Sequence, residues 1–110
     1  MSFDGWKLLG RSYAALGRFP EAVDALAKAA ARAPRDTQVL ADLADVLAMS
    51  RGQRLAGEPE KLVLRALELD PHNLKALALA DTAAFERKDF GAPVANDAQG
   101  VSIVIDTLVR

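Results

Sequence analysis

The chain has 110 residues, with 14 lysines and arginines against 15 aspartates and glutamates, one histidine and no cysteine. This length suits one small domain, and a net charge of −1 argues against a nucleic-acid binder, which needs a basic face to displace counterions. The lack of cysteine excludes disulfide bridges, thiolate metal sites and covalent haem attachment through a C-x-x-C-H box. No apolar run reaches the roughly 18 residues of a membrane-spanning helix, and residues 1–7 lack the layout of a secretory signal.

The composition predicts an all-α fold. Alanine (22 residues) and leucine (16 residues) dominate, and both are strong helix formers. Pro34 and Pro71 each close an apolar helical segment, and they lie 37 residues apart. Internal similarity at this period indicates repeats, which we place within a single domain over residues 1–110 as 3–36, 37–73 and a degenerate 74–110.

The first repeat reads as helix, turn, helix. Trp6 and Tyr13 belong to an apolar stripe along one helical face. Gly17 is predicted as a left-handed C-cap, and Pro20 is tolerated in the first turn of the second helix. That helix is expected to end at Pro34.

The second repeat has a longer connection between its helices. Asp36 is the predicted N-cap of a helix through Met49, and Pro59 restarts a helix through Leu69. The polar segment 50–57 connects them, and its loop 51–57 is expected to be passive, because loop-closure entropy grows slowly with length. A substitution there should cost well under about 1 kcal/mol. A partner contact through its arginines, Arg51 and Arg54, is the alternative.

The third repeat begins with a helix capped by Asn73 and predicted to run through Arg87. The remaining residues, 92–110, carry opposing signals. One helical stripe is formed by Val94, Ala98, Val101, Ile105 and Leu108, whereas the β-branched run 101–105 favours a strand. We favour a helix that covers the first helix of this repeat. Apolar residues off its stripe would then be exposed, which predicts a homo-oligomer formed through residues 92–110.

Ten positions of the first repeat resemble a complete tetratricopeptide repeat in residue type and spacing: Trp6, Leu9, Gly10, Tyr13, Gly17, Phe19, Ala22, Leu26, Ala29 and Pro34. The second and third repeats keep parts of the pattern. The resemblance implies helical hairpins stacked as a short right-handed solenoid of about three repeats. In this family Trp6, Tyr13 and Phe19 pack between the helices, so Trp6→Ala should cost about 3–5 kcal/mol if the ring is buried.

A narrower resemblance involves residues 52–59, 65–80 and the run Ala83 to Arg87. These segments are similar to the tetratricopeptide domain of bacterial cytochrome c maturation proteins, the apocytochrome chaperones and haem-lyase accessory subunits. The resemblance implies a periplasmic domain of a membrane-anchored protein. A chain complete as given would instead be cytoplasmic.

In tetratricopeptide stacks the first helices line a concave groove, and helical spacing turns the second, fifth, ninth and twelfth residue of each repeat inward. These positions contain the predicted peptide-binding residues, Lys7, Arg11, Gln38, Asp45, Lys75, Thr82 and Phe85. The three cations are expected to meet a carboxylate, and Phe85 is equally suited to packing. A solvated face without a ligand is the alternative.

The sequence contains no recognisable catalytic constellation. Its acidic residues are spread along helices, no serine has a base at a known spacing, and no glycine-rich phosphate loop is present. His72 lies in a predicted turn without a second histidine or a cysteine to complete a metal or haem site. We therefore expect no catalytic residue, no cofactor and no metal.

The sequence therefore predicts a non-catalytic interaction module that binds a peptide or helix of a client protein in its groove. The resemblance implies that the client is an apocytochrome c C-terminal segment, with haem-lyase components as further partners. The rival interpretation is a purely structural repeat segment that stacks in a larger or oligomeric assembly and has no free groove.

Overall fold

The computed structural model describes residues 1–91, and the side chains of residues 1–87. Within that range the chain forms five α-helices and no strand: α1 (Phe3–Ala15), α2 (Phe19–Arg32), α3 (Thr37–Ser50), α4 (Glu58–Leu69) and α5 (Leu74–Gly91). Helices adjacent in sequence pack against each other, and α5 also contacts α3. The prediction of an all-α fold is confirmed.

The helix ends follow the local capping signals of the sequence. The Asp36 carboxylate accepts a hydrogen bond from the Val39 N–H at 3.0 Å, and the Asn73 side-chain oxygen accepts one from the Ala76 N–H at 2.9 Å. Gly17 has a φ of +77°, in the left-handed region where glycine carries no Cβ penalty. The predicted caps of α1, α3 and α5 are confirmed.

A close approach at Gly10 determines how α1 packs on α2. Gly10 is buried, and a Cβ built on it would lie 2.5 Å from the Leu26 Cγ atom. Leu26 is itself only 1% exposed and belongs to the core, so it has little room to move. The two helices therefore pack at a distance that only glycine permits at this position.

We expect Gly10→Ala to lower the free energy of unfolding by about 1–2 kcal/mol, because overpacking typically costs about 1–3 kcal/mol and the gain in helix propensity offsets only part of it. Gly5→Ala in the same helix is the matched control, since its Cβ would come too close only to the flexible side chain of the exposed Met1 and would make an ordinary contact of 3.6 Å with Ser2 Oγ. Gly5→Ala should be neutral or stabilising in urea unfolding. Equal effects of the two substitutions would contradict the close approach.

The connection between α3 and α4 is part of the core. Leu55 is 2% exposed and packs in a cluster that includes Leu40 of α3 and Ala83 of α5. Its backbone N–H donates to both carboxylate oxygens of Glu86, at 2.9 and 3.0 Å. Arg51 pairs with Glu58 at 3.6 Å. The expectation of a passive loop is wrong at Leu55, because this side chain reaches the packed interface between α3, α4 and α5.

The outer face of the first hairpin is less buried than the matching face of the second. Trp6 and Tyr13 are half-buried, whereas Leu40 and Leu47 at the corresponding positions of the second repeat are buried. A cleft of about 490 Å³ borders both rings, and Lys28 Nζ lies 4.6 Å from the centre of the Trp6 ring. We therefore expect Trp6→Ala to cost less than the loss predicted for a fully buried ring.

The second helix predicted for the third repeat, and the homo-oligomer predicted through residues 92–110, lie outside the described residues. Both stay predictions. Among the helices of residues 1–91, none is both long and apolar enough to cross a membrane.

Candidate functional site

A cleft of about 360 Å³ lies between the first helices of the repeats. It is lined by Arg11, Ala14, Leu26, Gln38, Asp42, Asp45, Val46 and Lys75. Leu26 and Val46 are almost fully buried, whereas the charged groups of Arg11 and Lys75 are partly exposed. The cleft therefore combines an apolar floor with a charged rim.

One buried carboxylate connects the rim. Asp42 is 5% exposed, and its Oδ2 atom accepts hydrogen bonds from Arg11 Nε at 3.0 Å and Arg11 Nη2 at 2.9 Å. Its Oδ1 atom accepts from Lys75 Nζ at 2.9 Å and from Gln38 Nε2 at 3.1 Å. A single side chain of α3 thus joins α1, α3 and α5.

Further contacts orient the groups around Asp42. Lys75 Nζ also lies 3.2 Å from the Asp45 carboxylate. The Gln38 side-chain oxygen accepts a hydrogen bond from Asn73 Nδ2 at 3.3 Å, so both ends of the Gln38 amide are engaged. These contacts within the chain therefore hold the rim side chains in one arrangement.

The contacts in this cluster stabilise the charged forms of the buried Asp42 and the half-buried Lys75. Burial alone would raise the pKa of Asp42, but the hydrogen bonds and positive charges of Lys75 and Arg11 outweigh it and place the pKa below its ordinary value of 3.8. Burial would likewise lower the pKa of Lys75, but the carboxylates of Asp42 and Asp45 raise it above 10.5. Asp42 and Lys75 are therefore both charged near neutral pH.

Four of the seven predicted peptide-binding residues lie together in this cleft: Arg11, Gln38, Asp45 and Lys75. Lys7, Thr82 and Phe85 are outside its lining. Lys7 Nζ lies 5.2 Å from the Phe3 ring centre, and the Thr82 hydroxyl donates to the Ala78 carbonyl at 3.1 Å. Phe85 is 63% exposed. A binding role for any of the seven stays a prediction.

The family model for the tetratricopeptide domain of cytochrome c-type biogenesis protein H matches residues 2–97. The chain belongs to this family. Cytochrome c-type biogenesis protein CycH of Pseudomonas aeruginosa is 34% identical over 89 residues, which cover 81% of this chain and 22% of the relative. Cytochrome c-type biogenesis protein CcmH of Escherichia coli K12 is 34% identical over 95 residues, which cover 84% of this chain and 26% of that protein.

Membership of this family confirms both resemblances drawn from the sequence, the tetratricopeptide pattern and the similarity to cytochrome c maturation proteins. The five helices have the all-α form of such a domain. The chain spans 22% and 26% of the lengths of these two relatives.

Asp42, the residue at the centre of the cleft, is not among the residues predicted from the sequence. It is the sixth residue of its repeat, whereas the predicted inward positions are the second, fifth, ninth and twelfth. A signal was present, because Asp42 interrupts the apolar run from Val39 to Ala44. A charge among core residues of a helix is costly unless it is paired, so such a residue indicates that a cation lies nearby.

The structure places His72 in an exposed turn, where its backbone N–H donates to the Asp70 carboxylate at 3.0 Å. Across the described part of the chain, no three histidine, aspartate or glutamate side chains are grouped as metal ligands.

Proposed function

We propose that this domain serves cytochrome c-type biogenesis by capturing a segment of a client protein in the cleft between α1 and α3. The client is a C-terminal segment of apocytochrome c, presented for haem attachment by haem-lyase components. The domain itself makes and breaks no covalent bond. Membership of the family supports the process, and the cleft supports the mode of action.

The observation that carries the proposal is the pairing of a buried apolar floor with a rim that is already ordered. Leu26 and Val46 form an almost fully buried apolar floor, and the half-buried Ala14 beside them is the apolar surface that a client side chain would contact, as in helix-in-groove recognition. The contacts of Asp42 fix the rim side chains in advance, which lowers the entropy lost on binding. Such a cleft selects by shape and by polar contacts around one apolar anchor.

A location in the periplasm, implied by the sequence resemblance, belongs to the same proposal. It stays a prediction for this chain.

The proposal is tested by filling the cleft. Ala14 lines it, whereas Ala15 is the next residue of α1, is exposed and lies outside the lining. We expect Ala14→Gln to lower the affinity for an apocytochrome c C-terminal peptide at least about tenfold, equivalent to about 1.4 kcal/mol. The affinity is measured by titration calorimetry. Ala15→Gln makes the same chemical change and should bind like the parent chain.

Circular dichroism establishes whether both variants are folded. If folded Ala14→Gln binds as tightly as folded Ala15→Gln, the peptide does not use this cleft. If the parent chain binds no such peptide, the proposed client is wrong.

The rival function is that of a structural segment within a larger assembly. The exposed apolar residues of α5 support it. Leu74 is 81% exposed, Leu77 41% and Phe85 63%, and exposed apolar surface of this kind favours a protein contact. Light scattering that finds only monomers at high concentration would contradict self-assembly through this face.

A further inference from the structure

We propose that Asp42 occupies, from within the chain, the position in which Arg11 and Lys75 would otherwise bind a ligand carboxylate. The cleft consequently selects client segments that insert an apolar side chain and keep their own carboxylates, including the C-terminal one, away from these two cations. This inference rests on the proposed function and narrows it, because it specifies which part of a C-terminal segment enters the cleft.

The geometry around Asp42 is that of a completed carboxylate site. Arg11 directs two N–H groups at one oxygen, and Lys75 and Gln38 donate to the other. A carboxylate offers about four acceptor positions, and all of them are used here. Arginine and lysine contacts of this kind are the ones that proteins use to hold a ligand carboxylate or phosphate. In this cleft the chain supplies the anion itself.

A ligand carboxylate competes poorly for these cations. Asp42 is covalently fixed beside them, so its effective concentration is far above that of any ligand in solution. The four charged groups of the rim, Arg11, Lys75, Asp42 and Asp45, also sum to zero. The Asp45 carboxylate is 39% exposed and would repel an approaching anion. An apolar side chain needs neither cation, and the cleft offers it the half-buried Ala14 above the buried floor of Leu26 and Val46.

The test asks whether Asp42 prevents the cleft from binding a ligand carboxylate or only stabilises the fold. One client peptide is prepared with a free C-terminal carboxylate and as the C-terminal amide, and both are titrated by calorimetry at low ionic strength. The parent chain should bind the two forms within about twofold of each other. Asp42→Asn releases Arg11 and Lys75, so it should favour the free acid by about tenfold or more, the ratio that one charged hydrogen bond provides.

Asp81→Asn is the matched control. Asp81 is exposed on α5, and its substitution changes the net charge by the same amount, so any gain from charge alone appears in both variants. A parent chain that prefers the free acid tenfold would overturn the inference. So would an Asp42→Asn variant that discriminates no better than Asp81→Asn.

A second measurement does not depend on the client. Sodium acetate is titrated into the protein while the Arg11 Nε–H signal is followed by ¹⁵N NMR. A parallel titration with acetamide, which has a similar shape but no charge, is the control. Acetate should shift this signal to saturation in Asp42→Asn and leave it unchanged in the parent chain and in Asp81→Asn. If Asp42→Asn does not fold in chloride buffer, Asp42→Ser is used in the same titration. If the Arg11 signal of the folded variant does not shift with acetate, or does not saturate, the inference is overturned. This result does not depend on the client peptide, so it can be read even if that peptide fails to bind and the proposed function is wrong.

Discussion

Truncation of Leu55 to alanine is expected to lower the free energy of unfolding by about 2–5 kcal/mol. The side chain is 2% exposed and packs among residues of α3, α4 and α5, so its removal leaves a cavity where three helices meet. That loss is a large fraction of the roughly 5–15 kcal/mol that stabilises an ordinary domain. Urea unfolding monitored by circular dichroism measures it directly.

Two controls isolate the role of this side chain. Leu64→Ala removes the same atoms from a leucine of α4 that is 54% exposed, and should change stability by about 0.5 kcal/mol or less. Gln53→Gly alters the same connection at a residue with a φ of +67°, where glycine relieves strain, and should be neutral or stabilising. A loss of only a few tenths of a kcal/mol for Leu55→Ala would mean that the connection does not contribute to the core.

The burial of Leu55 depends on contacts that are distant in sequence, and such contacts cannot be predicted from local sequence patterns. The caps at Asp36 and Asn73 were predictable because each involves a hydrogen bond within three residues. The contact between Leu55 and Glu86 spans 31 residues. Local periodicity does not indicate a contact over this distance, so the sequence alone predicts that a polar, glycine-bearing connection is passive.

In the cleft, too, the local features are predictable from the sequence and the contacts between distant residues are not. Helical phase placed Arg11, Gln38, Asp45 and Lys75 on one side of the stack, and these four do lie together. The phase did not reveal which charges pair, because that depends on how far apart α1, α3 and α5 pack. Helical phase alone therefore predicts that the cations are available to a ligand, whereas Asp42 already pairs with Arg11 and Lys75.

Removal of the Asp42 carboxylate is the second substitution with a large expected effect. Asp42→Ala should lower the free energy of unfolding by about 2–3 kcal/mol. Loss of one partner from a buried ion pair typically costs about 3–5 kcal/mol. Here the stranded cations regain water, since the side chains of Arg11 and Lys75 are 47% and 36% exposed.

Asp45→Ala provides the comparison on the same helix. Asp45 makes a single contact with Lys75 at 3.2 Å and is 39% exposed, and pairs of this kind contribute about 0–1 kcal/mol. Equal losses for Asp42→Ala and Asp45→Ala would show that the hydrogen bonds centred on Asp42 do not stabilise the domain.

The pH dependence of the difference between the parent chain and Asp42→Ala gives an independent check. The pKa of Asp42 is lower in the folded chain than its ordinary value of 3.8, so the folded state binds this proton less readily than the unfolded state. The stability that Asp42 contributes is therefore complete above that value and declines as the pH falls through the lower folded pKa. The pKa of Lys75 is raised above 10.5 in the folded chain, so its contribution to stability is complete below pH 10.5 and is lost as the pH rises through the folded pKa.

Urea unfolding should show a constant difference in the free energy of unfolding between the parent chain and Asp42→Ala from about pH 5 to pH 9. This difference should become smaller below about pH 4. A difference that persists undiminished at pH 2 would mean that Asp42 stabilises the fold through packing rather than through its charge.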